Sequence, residues 1–537
     1  MKQIIFLFIL LLFMLSCKKE KADLIIINSK TYTVNNSFDT VEAFAIKDGK
    51  FISTGTNEEI LKKYDALKTI DAKNKTIVPG LIDAHCHFYR MGLQQQKVSL
   101  EGTKSYDEVL NKIVLFQKEK KTSFITGRGW DQNDWKIKVF PTKKKLDILF
   151  PNIPVAVSRV DGHALLVNQA AINLSGITKN TKVTGGEIII KDGEMTGVLI
   201  DAAMDFIKFP STTRNEAIQG LLEAQKISFS YGLTTIDDAG LKRQTIELID
   251  SLQQAKDLKI RIYAMVSGDS QEDLDYYTNK GIIKTNRLNV RSFKVYGDGA
   301  LGSRGAAMRK PYTDRENHFG ALIYPSKRYQ EIAKQIAASD YQMNTHAIGD
   351  SANTWMLKTY KEVLENSKNR RWRIEHAQII SNEDFIKFEN IIPSVQPTHA
   401  TSDMYWAKAR VGEKRMKGAY AYKKLLNIYG KIALGTDFPV EQVNPFLTFY
   451  AATIRKDLND FPKNGFQIEN SLSRDETLKG MTIWAAYSNF EEDEKGSIEN
   501  GKFADFVILD QNIMEIEGAE IPKTKVISTF LNGERVY

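Results

Sequence analysis

The chain has 537 residues, 42% of them hydrophobic, and a formal net charge of +8. This length predicts two or three domains, and the hydrophobic fraction excludes a disordered chain. Lysines and acidic residues are interleaved along the whole length, so the basic excess indicates a solvated surface and not a nucleic-acid-binding face. With Cys17 and Cys86 as the only cysteines, a framework of several disulfides is also excluded.

The N-terminus has the pattern of a secretion signal. An almost unbroken apolar run from Ile4 to Leu15 follows Lys2, and it is too short to span a bilayer. Ser16-Cys17 comes directly after it and resembles the lipobox of bacterial lipoproteins. We therefore expect residues 1–16 to be a cleaved signal peptide, and Cys17 to be acylated and to anchor the protein to the extracytoplasmic side of a bacterial membrane, periplasmic or cell-surface. The alternative is an ordinary cleaved signal with a chance cysteine.

Both ends of the mature chain are rich in short strand-like segments. Residues 24–55 contain an Asp48-Gly49 turn between apolar segments, and residues 506–537 contain a similar turn at Asn532-Gly533. Neither end has enough strands for independent stability. We expect residues 17–78 and 486–537 to build one small β-sandwich domain together.

The intervening residues 79–485 alternate between strand-like and helix-length segments, which is typical of a parallel α/β fold. Eight candidate strands lie near Leu81–His87, Leu233–Asp238, Arg261–Val266, Ser292–Asp298, Gln342–Ala347, Arg371–Ala377, Pro393–Thr398 and Lys431–Asp437. Eight strands are the number that a TIM-like (β/α)8 barrel requires. The long gap after the first strand, about residues 95–225, predicts an inserted subdomain between barrel strands 1 and 2.

The first candidate strand ends in His85-Cys86-His87. Side chains alternate along a strand, so the two histidines point the same way and can bind one cation. Catalytic residues of barrels collect at such strand ends. Cys86 points to the opposite side, and we interpret it as a small packing residue.

Other strand ends supply further metal-binding residue types. His346 ends the fifth strand, His376 the sixth and Asp437 the eighth, and each alone could be a structural residue. On the fourth strand, Lys294 should face the barrel interior, where an unpaired ammonium is costly. A neutral Lys294 amine could react with CO₂ to form a carbamate, an anionic ligand able to bridge two metal ions. The alternative is a catalytic or salt-bridged Lys294 without carbamylation.

These residues lie in motifs by which the chain resembles the amidohydrolase superfamily, in its family 3 branch of N-substituted formamide deformylase-like metal-dependent hydrolases. The motifs are Pro79–His87, Asp161–Ala164, Lys294–Arg304, His346–Asp350, Glu375–Ala377, Gln396–Ala400, Gly435–Pro439 and Gly496–Asp505. The resemblance implies one or two divalent ions, with zinc expected. It implies that one metal is bound by His85, His87 and Asp437, the second by His346 and His376, and that carbamylated Lys294 bridges them.

The resemblance also implies hydrolysis of a carbon–nitrogen bond in a small, non-peptide amide. A metal-activated hydroxide would attack the carbonyl carbon, with Asp437 as general base and then general acid. We expect His163 and His399 to face the substrate and to hydrogen-bond its carbonyl. Trp130, Trp406 and Arg304 are weaker candidates for substrate contacts, and core packing or loop capping explains them equally well.

Several alternatives stay open. The same metal site could hydrolyse a cyclic amide or an ester, or deaminate a C–NH₂ carbon. A non-catalytic binding lipoprotein would retain the fold without the activity, but the complete ligand set argues against it. A regulatory or transport component is a weaker alternative, and homo-oligomerisation is left open by the sequence.

Overall fold

The computed structural model describes residues 19–365, 367 and 369–537. The expected signal peptide and the lipidation site Cys17 lie outside the described residues. No helix in the described part is both long and apolar enough to cross a membrane. The chain forms two compact units: one comprises Gln225–Tyr537 with the residues up to Phe88, and the other comprises Tyr89–Ala224.

Both chain ends contribute to one sheet in the first unit. Its strands are Glu20–Tyr32, Thr40–Val41, Ala43–Lys47, Lys50–Gly55, Tyr64–Pro79, Phe506–Leu509, Val526–Leu531 and Glu534–Arg535, and the helix Asn57–Lys63 follows the fourth strand. Tyr64–Pro79 joins the two ends, because it pairs in parallel with Glu20–Tyr32 and antiparallel with Phe506–Leu509.

This sheet folds over on itself. The Phe44 and Phe506 rings are 5.1 Å apart, although two strands separate theirs in the sheet order. In a flat sheet those strands would be about 14 Å apart. The sandwich expected from both chain ends is therefore one hydrogen-bonded sheet that closes around a shared aromatic core.

The two predicted turns are present. Asp48 and Gly49 have φ values of 50° and 73°, and Asn532 and Gly533 have 51° and 73°. Two consecutive residues with positive φ define a type I′ turn, which matches the twist of a two-stranded hairpin.

The second unit contains its own six-stranded sheet. The strands are Val98–Ser99, Ile125–Trp130, Val155–Arg159, Ala164–Val167, Gly186–Lys191 and Glu194–Asp201. Its helices are Tyr106–Lys120, Lys144–Leu149 and Gln169–Ser175, with 3₁₀ turns at Gln132–Asp134 and Ala202–Phe206. Phe88–Gln94 and Arg214–Ser230 are the helices in which the chain passes between units. Separate apolar clusters around Val157 and Leu165 form the core of this unit.

The remainder of the first unit is the predicted parallel barrel. Its strands 1 to 8 are Leu81–Cys86, Leu233–Leu241, Arg261–Ser267, Leu288–Tyr296, Gln342–Ala347, Arg373–His376, Ile392–Val395 and Ala433–Leu434, and Ile283–Lys284 pairs with strand 4. Neighbouring strands pair in parallel throughout this order. The fold-class prediction, a TIM-like barrel interrupted after strand 1, is confirmed.

Helices follow the barrel strands. They are Arg243–Gln254, Gln271–Lys280, Ser326–Ala337, Asp350–Leu364, Pro397–Asp403, Ala407–Met416, Tyr422–Tyr429, Pro445–Thr453, Arg474–Gly480 and Ile483–Ser488, with 3₁₀ helices at Asn382–Asn390, Ile468–Asn470 and Gly518–Lys523. The loops between strands and helices place the predicted ligands at one end of the barrel, where active sites of this architecture lie.

The backbone next to strand 8 meets strand 1. The Asp437 N–H donates to His85 O at 2.8 Å, and the His87 N–H donates to Phe438 O at 2.8 Å. Gly435 permits this approach, since a Cβ there would lie 2.5 Å from the His85 nitrogen. The closure places the aspartate beside the two histidines of the His-x-His motif.

Candidate metal centre

Asp437 is the centre of the cluster at the carboxyl ends of the barrel strands. Its Oδ1 lies 3.3 Å from His87 Nε2 and 3.8 Å from His85 Nε2, and its Oδ2 lies 3.1 Å from His399 Nε2. Three imidazoles, two from the end of strand 1 and one from the helix after strand 7, therefore direct the same ring nitrogen towards one carboxylate.

The opposite nitrogen of each imidazole is held by a separate acceptor. His85 Nδ1 lies 2.5 Å from Glu375 Oε2, His87 Nδ1 lies 3.0 Å from Ala239 O, and His399 Nδ1 lies 3.1 Å from Glu441 Oε1. Acceptors in this position fix the ring orientation of metal-binding histidines and keep the proton on Nδ1. In His85 and His87 the arrangement leaves Nε2 available to a cation, whereas His399 Nε2 is hydrogen-bonded to Asp437.

Two other histidines each have one buried nitrogen that finds no hydrogen-bond partner in the described part of the chain. His346 Nε2 and His376 Nδ1 are both of this kind. The His346 ring centroid lies 4.5 Å from that of His376, which lies 4.9 Å from that of His85. Leaving a buried polar atom unpaired costs about 1–3 kcal/mol, so such atoms call for a partner. A metal ion is a fitting partner for imidazole nitrogens beside a carboxylate.

Among the residues that the structure describes, two groups of donors are close enough to hold a metal ion. One is His85, His87 and Asp437, and the other is His376, His399 and Asp437; within each group the ligand atoms lie within 4.8 Å of one another. The first group contains the three residues that the family resemblance assigns to one metal. The residues present therefore fit a divalent ion.

Electrostatics favour the metal-binding protonation states of His85, His346 and Asp437, but not of His399: burial alone would lower its pKa, and hydrogen bonds to Asp437 and Glu441 raise it to about 10. Burial lowers the pKa of His85 to about 4 and that of His346 to about 3, so both imidazoles are neutral at pH 7. Burial alone would raise the pKa of Asp437, but the neighbouring His399 and His87 hold it well below its usual value. Neutral imidazole and ionised carboxylate are the forms that bind metals.

Lys294 reaches the same cluster from barrel strand 4. Its Nζ lies 3.2 Å from His85 Nε2, and the side chain is buried. Burial lowers the Lys294 pKa to about 8, so roughly one molecule in ten has a neutral amine at pH 7. Only a neutral amine reacts with CO₂, and Lys294 is therefore chemically suited to the expected carbamylation.

Backbone strain coincides with two of the donors. His376 and Asp437 have φ values of 71° and 64°, in the left-handed region that non-glycine residues rarely adopt. Each such residue costs about 1–3 kcal/mol and persists where the surrounding structure enforces it. Both side chains enter the cluster at these strained positions, His376 as the last residue of strand 6 and Asp437 three residues after strand 8.

The remaining predicted residues lie outside this cluster. In the inserted unit, Trp130 is fully buried and donates its Nε1–H to Val157 O at 2.8 Å. His163 belongs to the same unit; it is exposed, and its Nδ1 lies 2.7 Å from Asp201 Oδ1. The catalytic role of His163 stays a prediction.

Arg304 and Trp406 lie in loops of the barrel unit. The Arg304 guanidinium binds both carboxylate oxygens of Asp314, at 3.0 and 2.9 Å. Trp406 is half-buried and stacks beneath Arg410, with 5.6 Å between the guanidinium carbon and the ring centroid. Cys86 is fully buried, as expected of a packing residue.

Sequence reasoning missed the two carboxylates behind the histidines. Glu375 directly precedes His376 in a motif that we had interpreted only through its histidine, and Glu441 follows Asp437 by four residues. Arg373 lies 3.1 Å from Glu375 Oε1 and, together with His85, lowers the pKa of this buried carboxyl to about 2, although burial alone would raise it. The only sequence signal was an acidic residue beside a predicted ligand.

A parallel (β/α)8 barrel with a histidine–carboxylate cluster at its strand ends defines a class, that of the metal-dependent barrel hydrolases. The model of the Amidohydrolase family matches residues 68–537, and the chain therefore belongs to that family. It is a hydrolase with a divalent-metal site.

Individual relatives extend over nearly the whole chain. Protein LONG AFTER FAR-RED 3 of Arabidopsis thaliana is 30% identical over 547 residues, which cover 96% of this chain and 92% of the relative. N-substituted formamide deformylase of Arthrobacter pascens is 24% identical over 538 residues, covering 96% and 98%. The crystal structure of an uncharacterized metal-dependent hydrolase from Pyrococcus furiosus superposes with a TM-score of 0.76 at 25% identity, covering 92% of this chain and 100% of that one.

Proposed function

We propose that the protein hydrolyses a carbon–nitrogen bond in a small, non-peptide amide. The observation that carries this proposal is the convergence of His85, His87 and His399 on the carboxylate of Asp437, beside buried histidine nitrogens that have no hydrogen-bond partner among the described residues. The likeness to a formamide deformylase over 96% of the chain supports the choice of bond.

His85, His87 and Asp437 would hold one divalent ion, and His346 and His376 would contribute to a second, with carbamylated Lys294 between them. Zinc is the ion that we expect. When bound, such an ion supplies a Lewis acid that polarises a carbonyl and lowers the pKa of water.

Asp437 performs the proton transfers in this proposal. Its ionised carboxylate accepts a proton from the attacking water as the water oxygen bonds to the carbonyl carbon. The same carboxyl then donates that proton to the leaving nitrogen as the C–N bond breaks, which restores the ionised form. His399, whose Nε2 lies 3.1 Å from Asp437 Oδ2, holds the carboxylate in place during both transfers.

A substrate panel with matched metal analysis tests the proposal. N-formyl and N-acyl amines should be hydrolysed faster than cyclic ureides, carboxylic esters or aminated bases. Asp437→Asn should lose at least about a hundredfold in kcat, the low end of general acid–base contributions. Preferential hydrolysis of an ester or a cyclic ureide, or deamination of a base, would redirect the proposal to that bond. A protein that binds no divalent metal would exclude it.

The membrane anchor is a separate proposal. We infer from the Ser16-Cys17 motif that Cys17 is acylated, so that the enzyme acts outside the cytoplasm. Expression in a bacterium with a labelled fatty acid should label the wild type but not Cys17→Ser. Cys86 is a built-in control, because it is fully buried and retained in both proteins. Equal labelling of the two proteins would contradict acylation at Cys17.

A further inference from the structure

A short segment of the inserted unit departs from the charge pattern of the rest of the chain. Residues 136–145 contain five lysines and no acidic residue, although lysines and acids are interleaved elsewhere. Ile137, Val139 and Phe140 lie among these lysines, and Ile148 and Leu149 follow in the next helix. Neither the metal centre nor the family resemblance gives this segment a role.

The apolar side chains of the segment are exposed. The exposed fractions are 70% for Ile137, 62% for Val139, 38% for Phe140, 78% for Ile148 and 44% for Leu149. Single exposed apolar residues are common, but a concentration of them on a monomer marks an interaction site. We call these five residues and the five lysines the basic–apolar face; the lysines are Lys136, Lys138, Lys143, Lys144 and Lys145.

Buried residues hold the basic–apolar face on the outside of the inserted unit. Trp135, Leu146 and Phe150 belong to one apolar cluster. The Trp135 ring stacks on that of Tyr106, with 6.1 Å between centroids and 25° between planes, and the Tyr106 hydroxyl donates to Thr142 O at 2.8 Å. Because the chain is fixed before, within and after the face, the exposed side chains between these positions point away from the core.

The helix Lys144–Leu149 places charge and apolar surface side by side. Residues four positions apart lie on the same side of a helix, so Lys144 neighbours Ile148 and Lys145 neighbours Leu149. All four are exposed, whereas Leu146 on the opposite side is buried. The arrangement is that of an amphipathic surface element.

Most of the charge on the basic–apolar face is not neutralised by the protein itself. Lys143 pairs with Asp147 at 2.8 Å, and Lys145 pairs with Asp107. In the described part of the chain three lysines of the face form no ion pair, and these are Lys136, Lys138 and Lys144. The face therefore complements a partner that is both anionic and apolar.

We propose that the basic–apolar face binds the surface of an anionic lipid membrane. The lysines would lie at the headgroup phosphates, each raising the partition coefficient about fivefold, and the apolar side chains would enter the boundary with the acyl chains. A nucleic acid would pair with the charges but leave Ile137 and Ile148 in water, so the apolar members favour a membrane. The inference goes beyond the proposed hydrolysis and depends on neither the metal nor acylation of Cys17.

Vesicle binding by the full chain tests the charged part of the face. Cys17→Ser serves as the parent protein, because it lacks the proposed acylation site and all variants share its N-terminus. The parent should co-sediment more strongly with vesicles of phosphatidylcholine and phosphatidylglycerol than with phosphatidylcholine alone, and high salt should reduce the difference. Replacing the three lysines without ion pairs by glutamine should weaken the binding that depends on phosphatidylglycerol about 100-fold.

Lys118→Gln, Lys182→Gln and Lys191→Gln together are the matched control for these substitutions. They remove the same charge from exposed lysines of the same unit that lie outside the face. The control should bind like the parent. Equal weakening in the control would show that only net charge matters and would overturn the inference.

A fluorophore tests the apolar part of the face. In Cys17→Ser the remaining native cysteine, Cys86, is fully buried, so Ile137→Cys can be labelled selectively with an environment-sensitive nitrobenzoxadiazole dye. Its emission should shift to shorter wavelength when anionic vesicles are added, because the dye enters an apolar medium. The same dye at Lys182→Cys should not shift. Unchanged emission at position 137, or equal shifts at both positions, would overturn the inference.

Sedimentation velocity without lipid tests another occupant of the face, a second copy of this chain. The parent and a variant with Ile137→Ser and Ile148→Ser should have the same oligomeric state, whereas the variant should bind anionic vesicles at least about tenfold more weakly. A parent dimer that this variant dissociates would assign the face to a second copy and overturn the inference. Since both side chains are exposed, the variant should keep the parent's circular dichroism spectrum; if it does not, the dye experiment decides.

Discussion

At the scale of single residues, Lys294 combines burial, a lowered pKa and contact with a metal ligand. A bridging carbamate would convert it from a cation into an anion that suits the surrounding imidazoles. Its 3.2 Å separation from His85 Nε2 leaves the amine beside the donors that a bridging ligand must join. In the proposed centre, we therefore expect Lys294 to determine whether two ions are held as a unit.

Carbamylation of Lys294 should be visible by mass. Native mass spectrometry of the metal-loaded protein in bicarbonate should show the added mass of one CO₂, which disappears in Lys294→Ala. The variant should lose metal and activity, and short carboxylic acids should restore part of both by replacing the carbamate oxygens. Full activity in Lys294→Ala would contradict the bridging role.

Glu491, like Lys294, is buried and charged, but its role is to stabilise the fold. Its carboxylate lies 2.6 Å from Lys495 Nζ and also pairs with Lys284. Burial alone would raise the Glu491 pKa, but the two lysines lower it to about 2. The unfolded-state value is about 4.3, so the difference contributes about 3 kcal/mol to stability, fully present above that pH.

Stability should therefore fall as the pH decreases from about 4.3 towards 2, where the folded Glu491 becomes protonated. Glu491→Gln should reduce the free energy of unfolding at pH 7 by about 3–5 kcal/mol, because Lys495 loses its buried partner. Denaturant unfolding at several pH values measures both effects. A variant that retains the wild-type slope between pH 4 and 2 would show that other carboxylates cause the acid sensitivity.

At the scale of elements, the site could be predicted because its residues lie at the ends of strands that the sequence pattern identifies. Apolar runs identified all eight barrel strands, and the parallel order then places their carboxyl ends together. The acceptors behind the histidines could not be predicted, because Glu375 reaches His85 across 290 positions of sequence. No local pattern encodes such a contact.

Strand boundaries were less predictable than strand existence. Strand 2 continues to Leu241, beyond the expected Asp238, and strand 8 is only Ala433–Leu434. The residues after Leu434 leave the sheet to form the strained turn that carries Asp437. Asp is enriched in left-handed backbone, but a single aspartate does not identify such a position in the sequence. The single folded-over sheet at the chain ends was likewise hidden, since strand composition does not show which strands remain hydrogen-bonded.

The contact of strand 8 with strand 1 is a testable element of the site. In Gly435→Ala the new Cβ would lie 2.5 Å from the His85 nitrogen and 2.8 Å from its oxygen, so the strands must separate. We expect a loss of about 1–3 kcal/mol in stability, together with weaker metal binding, because Asp437 moves away from His85. Denaturant unfolding and metal titration measure the two effects.

Gly176→Ala is the control for that substitution. Gly176 has φ of 72° and open space around its Cβ position, and it lies in the inserted unit. Alanine there should cost about 1 kcal/mol through backbone strain and leave the metal content unchanged. Unaltered metal affinity in Gly435→Ala would mean that the closure does not position the ligands.

At the scale of the whole molecule, the chain forms two units, and we expect metal removal to lower the stability of only one of them. All donors of the proposed centre belong to the unit that contains the barrel, whereas the inserted unit has its own sheet and apolar cores. A ligand that binds only the folded state at a hundred times its dissociation constant stabilises that state by about 2.7 kcal/mol. Removing the metal should lower the stability of the unit that contains the barrel and leave the stability of the inserted unit unchanged.

Hydrogen exchange measured with and without a chelator tests this expectation. In the proposed centre, metal removal would deprive the His346 and His376 imidazoles of their ion, and among the described residues His346 Nε2 and His376 Nδ1 have no other partner, so amide protection should fall in peptides that contain barrel strands 1, 5 and 6. Peptides covering Val155–Arg159 and Ala164–Val167 should exchange as before, because these strands pair with each other inside the inserted unit. Restoring zinc should restore protection. Equal loss of protection in both units would show that they unfold together, and no change in either would show that the metal contributes nothing to stability.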